Sequence, residues 1–513
     1  MEPPHILNLP GDILYKIFAH FQCDKIHRGL FDESMYDDDP QTVKIKLQTI
    51  KAARLVCRLF NLFASPLLCS TLRVRLDHVS LDFVDKVSES PHIADGVYNI
   101  EIVVDYCPRE LATDLLRFGK FRVGELVNRI RGCCAYTMWE IEVNGEGHED
   151  NPDYPHEDYQ QTIEYCEKLR SAWLQYVKTA DKGSMDAISL EFLHLLIQGH
   201  QEYIQKHEEQ FQLITNGSFI ERLISAMSRM AHCSSVHFID DVDYYSMPEN
   251  VSPLAFRDDA RELSRFMTSP LSWDYINHLQ GGAEILPAKL LWGLPIALYE
   301  AGLTLRAMLI RTFPHPNCCP VSYPTTWTNL YDACQHLNVF ILERMNLNNS
   351  TGPFDPTPRR EQALIEQYIG AVLSSEVLEV IKLRFFDSTS TTVSYRVGLL
   401  PKAINWPRIK KLTIAHISLS QEELEILCSG LGYMLEDLYL YKIDLRSGNW
   451  ANALDMLRQR VPKNLQRMRP PYFSELTGGE FGKGNRHLVE GSLDYVFRVK
   501  SKNPIRGTSH NVL

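Results

Sequence analysis

Apolar positions recur along this chain in two rhythms. Near the N-terminus the rhythm is helical. Within 12–22, Ile13, Leu14, Ile17, Phe18 and Phe21 fall at i, i+1, i+4, i+5 and i+8, the spacing of one helix face. Pro10 stands just ahead, where its fixed φ and missing N–H suit a helix start. A second stripe, Ala52, Val56, Leu59, Phe60 and Phe63, predicts a helix over 50–63 that Ser65-Pro66 stops. Neither helix is long enough to stand alone, so both must bury their stripes against something.

The second rhythm is a strand motif. Ile409-x-x-Leu412-x-Ile414-x-x-Ile417-x-Leu419 recurs as Leu435-x-x-Leu438-x-Leu440-x-x-Ile443-x-Leu445 and as Leu337-x-x-Phe340-x-Leu342-x-x-Met345-x-Leu347. The first three positions return in Leu378-x-x-Ile381-x-Leu383 and Leu305-x-x-Met308-x-Ile310. They return more faintly in Cys233-x-x-Val236-x-Phe238 and Val97-x-x-Ile100-x-Ile102. Between two of these units Ser420-x-x-Glu423 is a capping-box signature, followed by Leu424, Ile426, Leu427 and Leu431 and then by Gly432 near the stop. The pattern resembles leucine-rich repeats, which place a strand and then a helix in each unit. The stronger units step by 32, 41, 31 and 26 residues, longer and less even than that family's usual ~20–29. Position nine, usually Asn or Cys there, is Ile417, Ile443 and Met345, so no asparagine ladder is expected. Strands of a general α/β domain are the alternative reading of the same motif.

The middle of the chain is less regular. Segments 156–181 and 187–212 read as helices, and 139–143 (WEIEV) alternates like a strand. The stretch 145–155 is an acidic connection, 346–359 is a loop rich in Asn, Pro, Ser and Thr, and the last dozen residues read as mobile.

The N-terminal helices carry a further resemblance. Leu9-Pro10-x-Asp12-Ile13-Leu14-x-x-Ile17-Phe18, followed by Ala53-Arg54-Leu55-Val56-Cys57-Arg58-x-Phe60-x-x-x-Ala64-x-Pro66-Leu67-Leu68, resembles an F-box over about 9–72. Asp12 stands where the family usually has glutamate, Phe60 where it usually has tryptophan, and Cys69 where tryptophan often follows the Leu pair. Residues 23–46 separate the two halves by more than the family's gap. With Asp32, Glu33, Asp37, Asp38, Asp39 and Pro40, this stretch reads as a solvated loop inserted at a helix junction.

The resemblance implies docking onto the Skp-family adaptor of a cullin–RING ubiquitin ligase (SCF type). By motif position the adaptor contacts would be Leu9, Pro10, Ile13, Leu14, Ile17, Leu55, Val56, Cys57 and Phe60. Two helices of an ordinary bundle, packing only on their own chain, are the alternative. The implied fold is α/β: all-α F-box helices over 1–76 with an acidic insertion at about 24–46, then an irregular leucine-rich-repeat-like solenoid over 77–475. Helical insertions are expected at about 145–232 and 244–300, and a C-terminal tail at 476–513.

Composition narrows the function classes. The chain has 513 residues, 44% apolar and 23% charged, ordinary globular values. Its formal charge of −11 argues against general nucleic-acid or anionic-membrane partners. No leader is visible, and 285–310 is interrupted by Lys289, Glu300, Arg306, Pro287 and Pro295, too polar to span a bilayer. The twelve cysteines show no C-x-x-C and read as reduced and mostly buried, which points to cytoplasm or nucleus.

Reaction chemistry is weakly signalled. Gly478-Gly479-Glu480-Phe481-Gly482-Lys483-Gly484 lacks the Ser or Thr of a phosphate loop. His148 and His156 lack paired metal-ligand spacing, His194 and His200 do not share a helix face as i, i+4 ligands would, and Cys57 reads as a packed thiol. No catalytic residue, metal or cofactor is expected.

In the repeats, side chains between the buried positions would line one sheet face: Leu309, Ile341, Lys382, Thr413 and Tyr439 at position five, and Arg311, Glu343, Arg384, Ala415 and Tyr441 at position seven. Arg311, Lys382, Arg384, Tyr439 and Tyr441 are the candidate substrate-binding set, a composition common at interface hot spots. The expectation is a non-catalytic substrate-recognition subunit that holds an unidentified protein for ubiquitin transfer. The alternative is a repeat scaffold whose degenerate F-box has no ligase role.

Overall fold

The computed structural model describes residues 9–21, 40–144, 156–180, 185–240, 260–277, 279, 282–314, 318–319, 324–343, 359–384, 395–396, 405–460, 481 and 486–506. The chain is mixed α/β and forms two compact units. One comprises Met1–Val104, Gly217–Ile239 and Leu286–Leu513, the other Asp105–Asn216 and Asp240–Ile285.

The first unit is built on a nine-stranded parallel sheet: β1 (Thr71–Val74), β2 (Asn99–Val103), β3 (Ser235–Ile239), β4 (Ala307–Ile310), β5 (Val339–Leu342), β6 (Val380–Arg384), β7 (Tyr395–Arg396), β8 (Lys411–Ser420) and β9 (Asp437–Ser447). Each strand from β1 to β5 pairs with the next in the sequence. β8 takes β6 along its first half and the two-residue β7 along its second, and β9 pairs with β8 throughout. The motif offsets explain this register. The fourth motif position runs straight across the ladder as Ile100, Val236, Met308, Phe340, Ile381, Leu412 and Leu438, each at most 2% exposed. β1 joins the same row with Leu72. Its Cys69-x-x-Leu72-x-Val74 follows the offsets, but Arg73 and Arg75 hide it among polar neighbours.

Crossovers between parallel strands are right-handed, so strands added in one direction carry their helices on one face. The helices accordingly pack in a row. His78–Ser88 meets Ser218–Arg229, which meets Leu290–Glu300, then Pro324–Ala333, then Arg359–Val372. Farther along, Gln421–Ser429 meets Trp450–Arg460, which meets Arg486–Val496. The helix after β8 carries the capping box: Ser420 Oγ accepts from the Glu423 amide (3.1 Å) and Glu423 Oε2 from the Ser420 amide (2.8 Å). Gly430 is the C-cap, two residues before the glycine the sequence suggests. Part of the stretch expected to be mobile is packed, while residues 507–513 lie outside the described residues. Asn503 and Ile505 are buried, and Asn503 Nδ2 donates to the Ala451 carbonyl at 2.8 Å.

The N-terminal helices are three, not two: Gly11–Ala19, Pro40–Ala53 and Arg58–Ala64. The stripe over 50–63 is broken at 54–57. Cys57 is extended (φ −161°, ψ 168°) and caps the third helix through Sγ, which accepts from the Phe60 amide at 3.4 Å. The expected insertion is also shorter than the sequence suggests. Pro40 opens a helix instead of breaking one, because the first turn needs no proline N–H. Residues 22–39 lie outside the described residues.

The second unit is helical: Arg109–Ala112, Leu115–Asn144, His156–Thr179, Ala187–Thr215, Ala260–Thr268 and Trp273–Asn277. Its bounds differ from the expected insertions at 145–232 and 244–300, starting earlier and ending sooner. The strand-like 139–143 is the last part of the helix Leu115–Asn144, where alternation is overridden by the helical run before it. Gln210 and His207 fasten the incoming chain to the helix Ala187–Thr215. Gln210 Oε1 accepts from the Cys107 amide (2.8 Å), and His207 Nδ1 is 2.7 Å from the Cys107 carbonyl oxygen. Phe118, Leu126, Trp173, Leu196, Tyr203 and Trp273 are wholly buried in this unit.

Candidate interaction surfaces

Two surfaces hold the residues that the sequence singles out. The first is the N-terminal helix cluster. Its interior is Phe18, Ile50, Ala64 and Leu67, with Phe60 and Phe63 packed against them. Phe18 and Phe60 meet edge to face, 5.1 Å between centroids. Leu14 is 0% exposed, so this expected contact residue belongs to the chain's own core. Leu9, Ile17, Cys57 and Phe60 are half-buried, and Pro10 is exposed.

The outward residues are Ile13 (38% exposed), Leu55 (84%) and Val56 (66%). The helix break causes the last two. Once the helix over 40–53 ends, Leu55 and Val56 ride a tight turn whose amides reach the Ala52 and Ala53 carbonyls at 3.1 Å each. Neither side chain is then on a face that can pack inward. Two adjacent aliphatic side chains held in water are an unrecovered hydrophobic cost that a partner would remove.

The second surface is the sheet face opposite the helix row. It divides in two. Over β2–β5 this face carries a core of its own: Val103, Ile239, Leu309 and Ile341 form a buried apolar cluster. The expectation that Leu309 and Ile341 line an open face is therefore corrected; both are core. Beside them Glu101 Oε1 is 3.7 Å from His237 Nδ1. His237 beside it holds the Glu101 carboxyl below the usual carboxylate range, against burial that pushes the other way.

Farther along, the face opens. Glu343, between the two cations on neighbouring strands, binds both: Arg311 Nε at 3.2 Å and Lys382 Nζ at 3.4 Å. The register sets Lys382 beside Thr413 beside Tyr439, and Arg384 beside Ala415 beside Tyr441. The small pair on β8 thus separates cationic from aromatic walls by two strand spacings, ~10 Å. Tyr439 and Tyr441 stack at 6.1 Å. Tyr441 meets His416 edge-on at 5.2 Å and Lys442 Nζ at 5.5 Å. His416 (φ 60°) and Lys442 (φ 49°) share a left-handed kink at one motif position, which lets both strands continue to Ile417 and Ile443.

So four of the candidate residues, Lys382, Arg384, Tyr439 and Tyr441, stand on either side of the Thr413 and Ala415 positions of β8, and Arg311 is tied to Lys382 through Glu343. Sequence reasoning missed the roles of Glu343, His416 and Lys442. Glu343 was visible at position seven, whereas the kink leaves no mark in the hydrophobic pattern. An acidic or hydroxyl-bearing extended peptide fits such walls.

Three buried thiols are unsuited to nucleophilic work. Burial pushes Cys107, Cys233 and Cys334 up to about 12. Among the described residues, no group of three His, Cys, Asp or Glu side chains is placed to hold a metal ion, and no helix is long and apolar enough to cross a membrane. The glycine-rich 478–484 (Phe481 apart) and His148 lie outside the described residues. No family model, curated protein or solved structure matches this chain.

Proposed function

We propose that this chain is the substrate-recognition subunit of an SCF-type ubiquitin ligase. Its F-box-like helices dock on the Skp-family adaptor, and its strand–helix units form an irregular leucine-rich-repeat array that binds a protein substrate. The observation that carries the reading is the exposure of Leu55 and Val56, 84% and 66%, inside the stretch whose order of residues resembles an F-box. An apolar turn left in water is what a docking surface requires. The chain itself makes and breaks no bonds in this reading. It raises the local concentration of a target near the conjugating enzyme, through the cullin and RING subunits that the adaptor brings.

Full burial of a Leu or Val side chain stabilises by roughly 1.5–3 kcal/mol. Scaled by their exposures, Leu55 and Val56 together contribute about 2–4 kcal/mol to docking. The variant Leu55→Asp with Val56→Asp should lose at least that much. Co-purification of the full chain with a Skp adaptor should then fall by roughly 30–1,000-fold in affinity, with the unfolding midpoint unchanged because neither side chain packs inward. A wild-type chain that recovers no adaptor would reject the docking claim and leave a repeat scaffold with no ligase role.

A further inference from the structure

We infer that the cavity between the last helices is a binding site for a phosphomonoester, either a small molecule or a phosphorylated side chain. The inference does not depend on the ligase reading. The cavity has a volume of about 820 Å³, within the ~300–1,000 Å³ typical of ligand pockets. Four cations line it, Arg458, Arg498, Lys502 and Arg506, against one carboxylate, Asp455.

That carboxylate is fully engaged. Its Oδ1 accepts from Tyr495 Oη (2.6 Å) and Asn503 Nδ2 (2.8 Å), and its Oδ2 from Arg506 Nε (3.0 Å) and Nη2 (2.8 Å). Asp455 thus neutralises Arg506 and no other. Arg458 lies over the Tyr495 ring, 4.4 Å from its centroid, and donates to the carbonyl oxygens of Tyr495 and of Lys500. Arg498 donates to the Arg458 carbonyl at 2.5 Å. Carbonyl acceptors orient a guanidinium without cancelling its charge. Lys502 is exposed and, among the described residues, has no hydrogen bond or ion pair.

Three uncompensated cations therefore converge on one cavity of a chain whose formal charge is −11. The backbone adds a second sign of purpose. Arg498 sits at φ 64°, a left-handed conformation that is strained for a non-glycine residue. Strain of this kind persists where the surroundings over-determine it, commonly at ligand sites. Two guanidiniums, both with donors to spare, and an ammonium suit a dianion with three terminal oxygens better than a monovalent carboxylate.

The test is calorimetric titration of the full chain with phenyl phosphate, inorganic phosphate, acetate, and a phosphoserine peptide beside its unphosphorylated form. Phenyl phosphate should bind saturably, more weakly at higher salt. Lys502→Glu should weaken it at least about tenfold by reversing one nearby charge, with the unfolding midpoint kept, while Lys86→Glu, exposed on the helix after β1 at the other end of the sheet, leaves it unchanged. Tighter binding of the phosphopeptide than of phenyl phosphate would assign the source to a phosphorylated protein, and the reverse to a small molecule. Absence of saturation by every phosphate probe, equal affinity for acetate, or equal affinity in Lys502→Glu would each overturn the site.

Discussion

Removing the Glu125 carboxylate should damage the helical unit severely, and removing its partner cation as well should repair part of the damage. Arg122 has no exposed side-chain surface, and Glu125 is 11% exposed; their charged ends are 2.5 Å apart. The other polar partners of Arg122 are the Ser269 carbonyl (2.9 Å) and hydroxyl (3.4 Å). Around it stand the rings of Phe118, Phe121, Tyr203 and Phe266, at 5.3–5.5 Å. Glu125→Ala strands a charge where water cannot reach it, a loss of about 3–5 kcal/mol. Adding Arg122→Met removes that charge but also its attraction to the rings, worth ~2 kcal/mol for a desolvated cation. The double variant should therefore regain about 1–3 kcal/mol over Glu125→Ala. Hydrogen exchange of the amides in Ala187–Thr215 reads the effect locally, free of the sheet unit. Opening should become roughly 150–5,000-fold more frequent in Glu125→Ala and partly recover in the double variant. A double variant no better than the single one would show that the stranded charge is not the cause.

Other outcomes follow from the same geometry. Burial holds the His200 pKa below its ordinary value, against hydrogen bonds to the Leu111 and Ala112 carbonyls. A group with a depressed folded pKa stabilises above its unfolded pKa, ~6.5 for histidine, and that contribution drains away as pH falls from there through the lower folded value. Exchange protection of Ala187–Thr215 should fall over that window, and His200→Gln should flatten the dependence. Gly96→Ala would set a Cβ 1.7 Å from the Pro66 carbonyl oxygen, so urea unfolding should show a loss of at least about 3 kcal/mol. Gly124→Ala, exposed on a helix with nothing within 4 Å, should instead gain roughly 0.5–1 kcal/mol.

The ladder was legible in the sequence because a parallel sheet repeats one demand: positions four and six must face the helix row on every strand. Ile100, Met308 and Leu438 obey it alike, and spacing alone finds them. What spacing cannot show is which other faces are covered. Leu309 and Lys382 occupy the same motif position, yet one is core and the other is partly exposed and paired with Glu343. The helix break at 54–57 was equally hidden, since the apolar stripe from Ala52 to Phe63 runs through it unbroken. Leu14 and Ile13 are adjacent apolar residues of one helix, and only the folded cluster shows that the first is consumed internally while the second is left facing out. The C-terminal cavity escaped notice because its cations come from one helix (Arg458) and from the chain beyond the last helix (Arg498, Lys502, Arg506), with no shared spacing.

Apart from the two-residue β7, the strands follow one another across the sheet in sequence order, and this bears on how the protein is assembled. β8 and β9 are separated by one short helix and can zip as soon as both leave the ribosome. β2 and β3 are also ladder neighbours, but the whole of 104–234 is translated between them, and joining ends that distant costs about 1.8 kcal/mol more in closure entropy than joining β8 to β9. The first two strands must wait, with the edge of β2 unpaired, until that long excursion has condensed. The interval is the point in biogenesis at which the nascent chain is most open to mispairing.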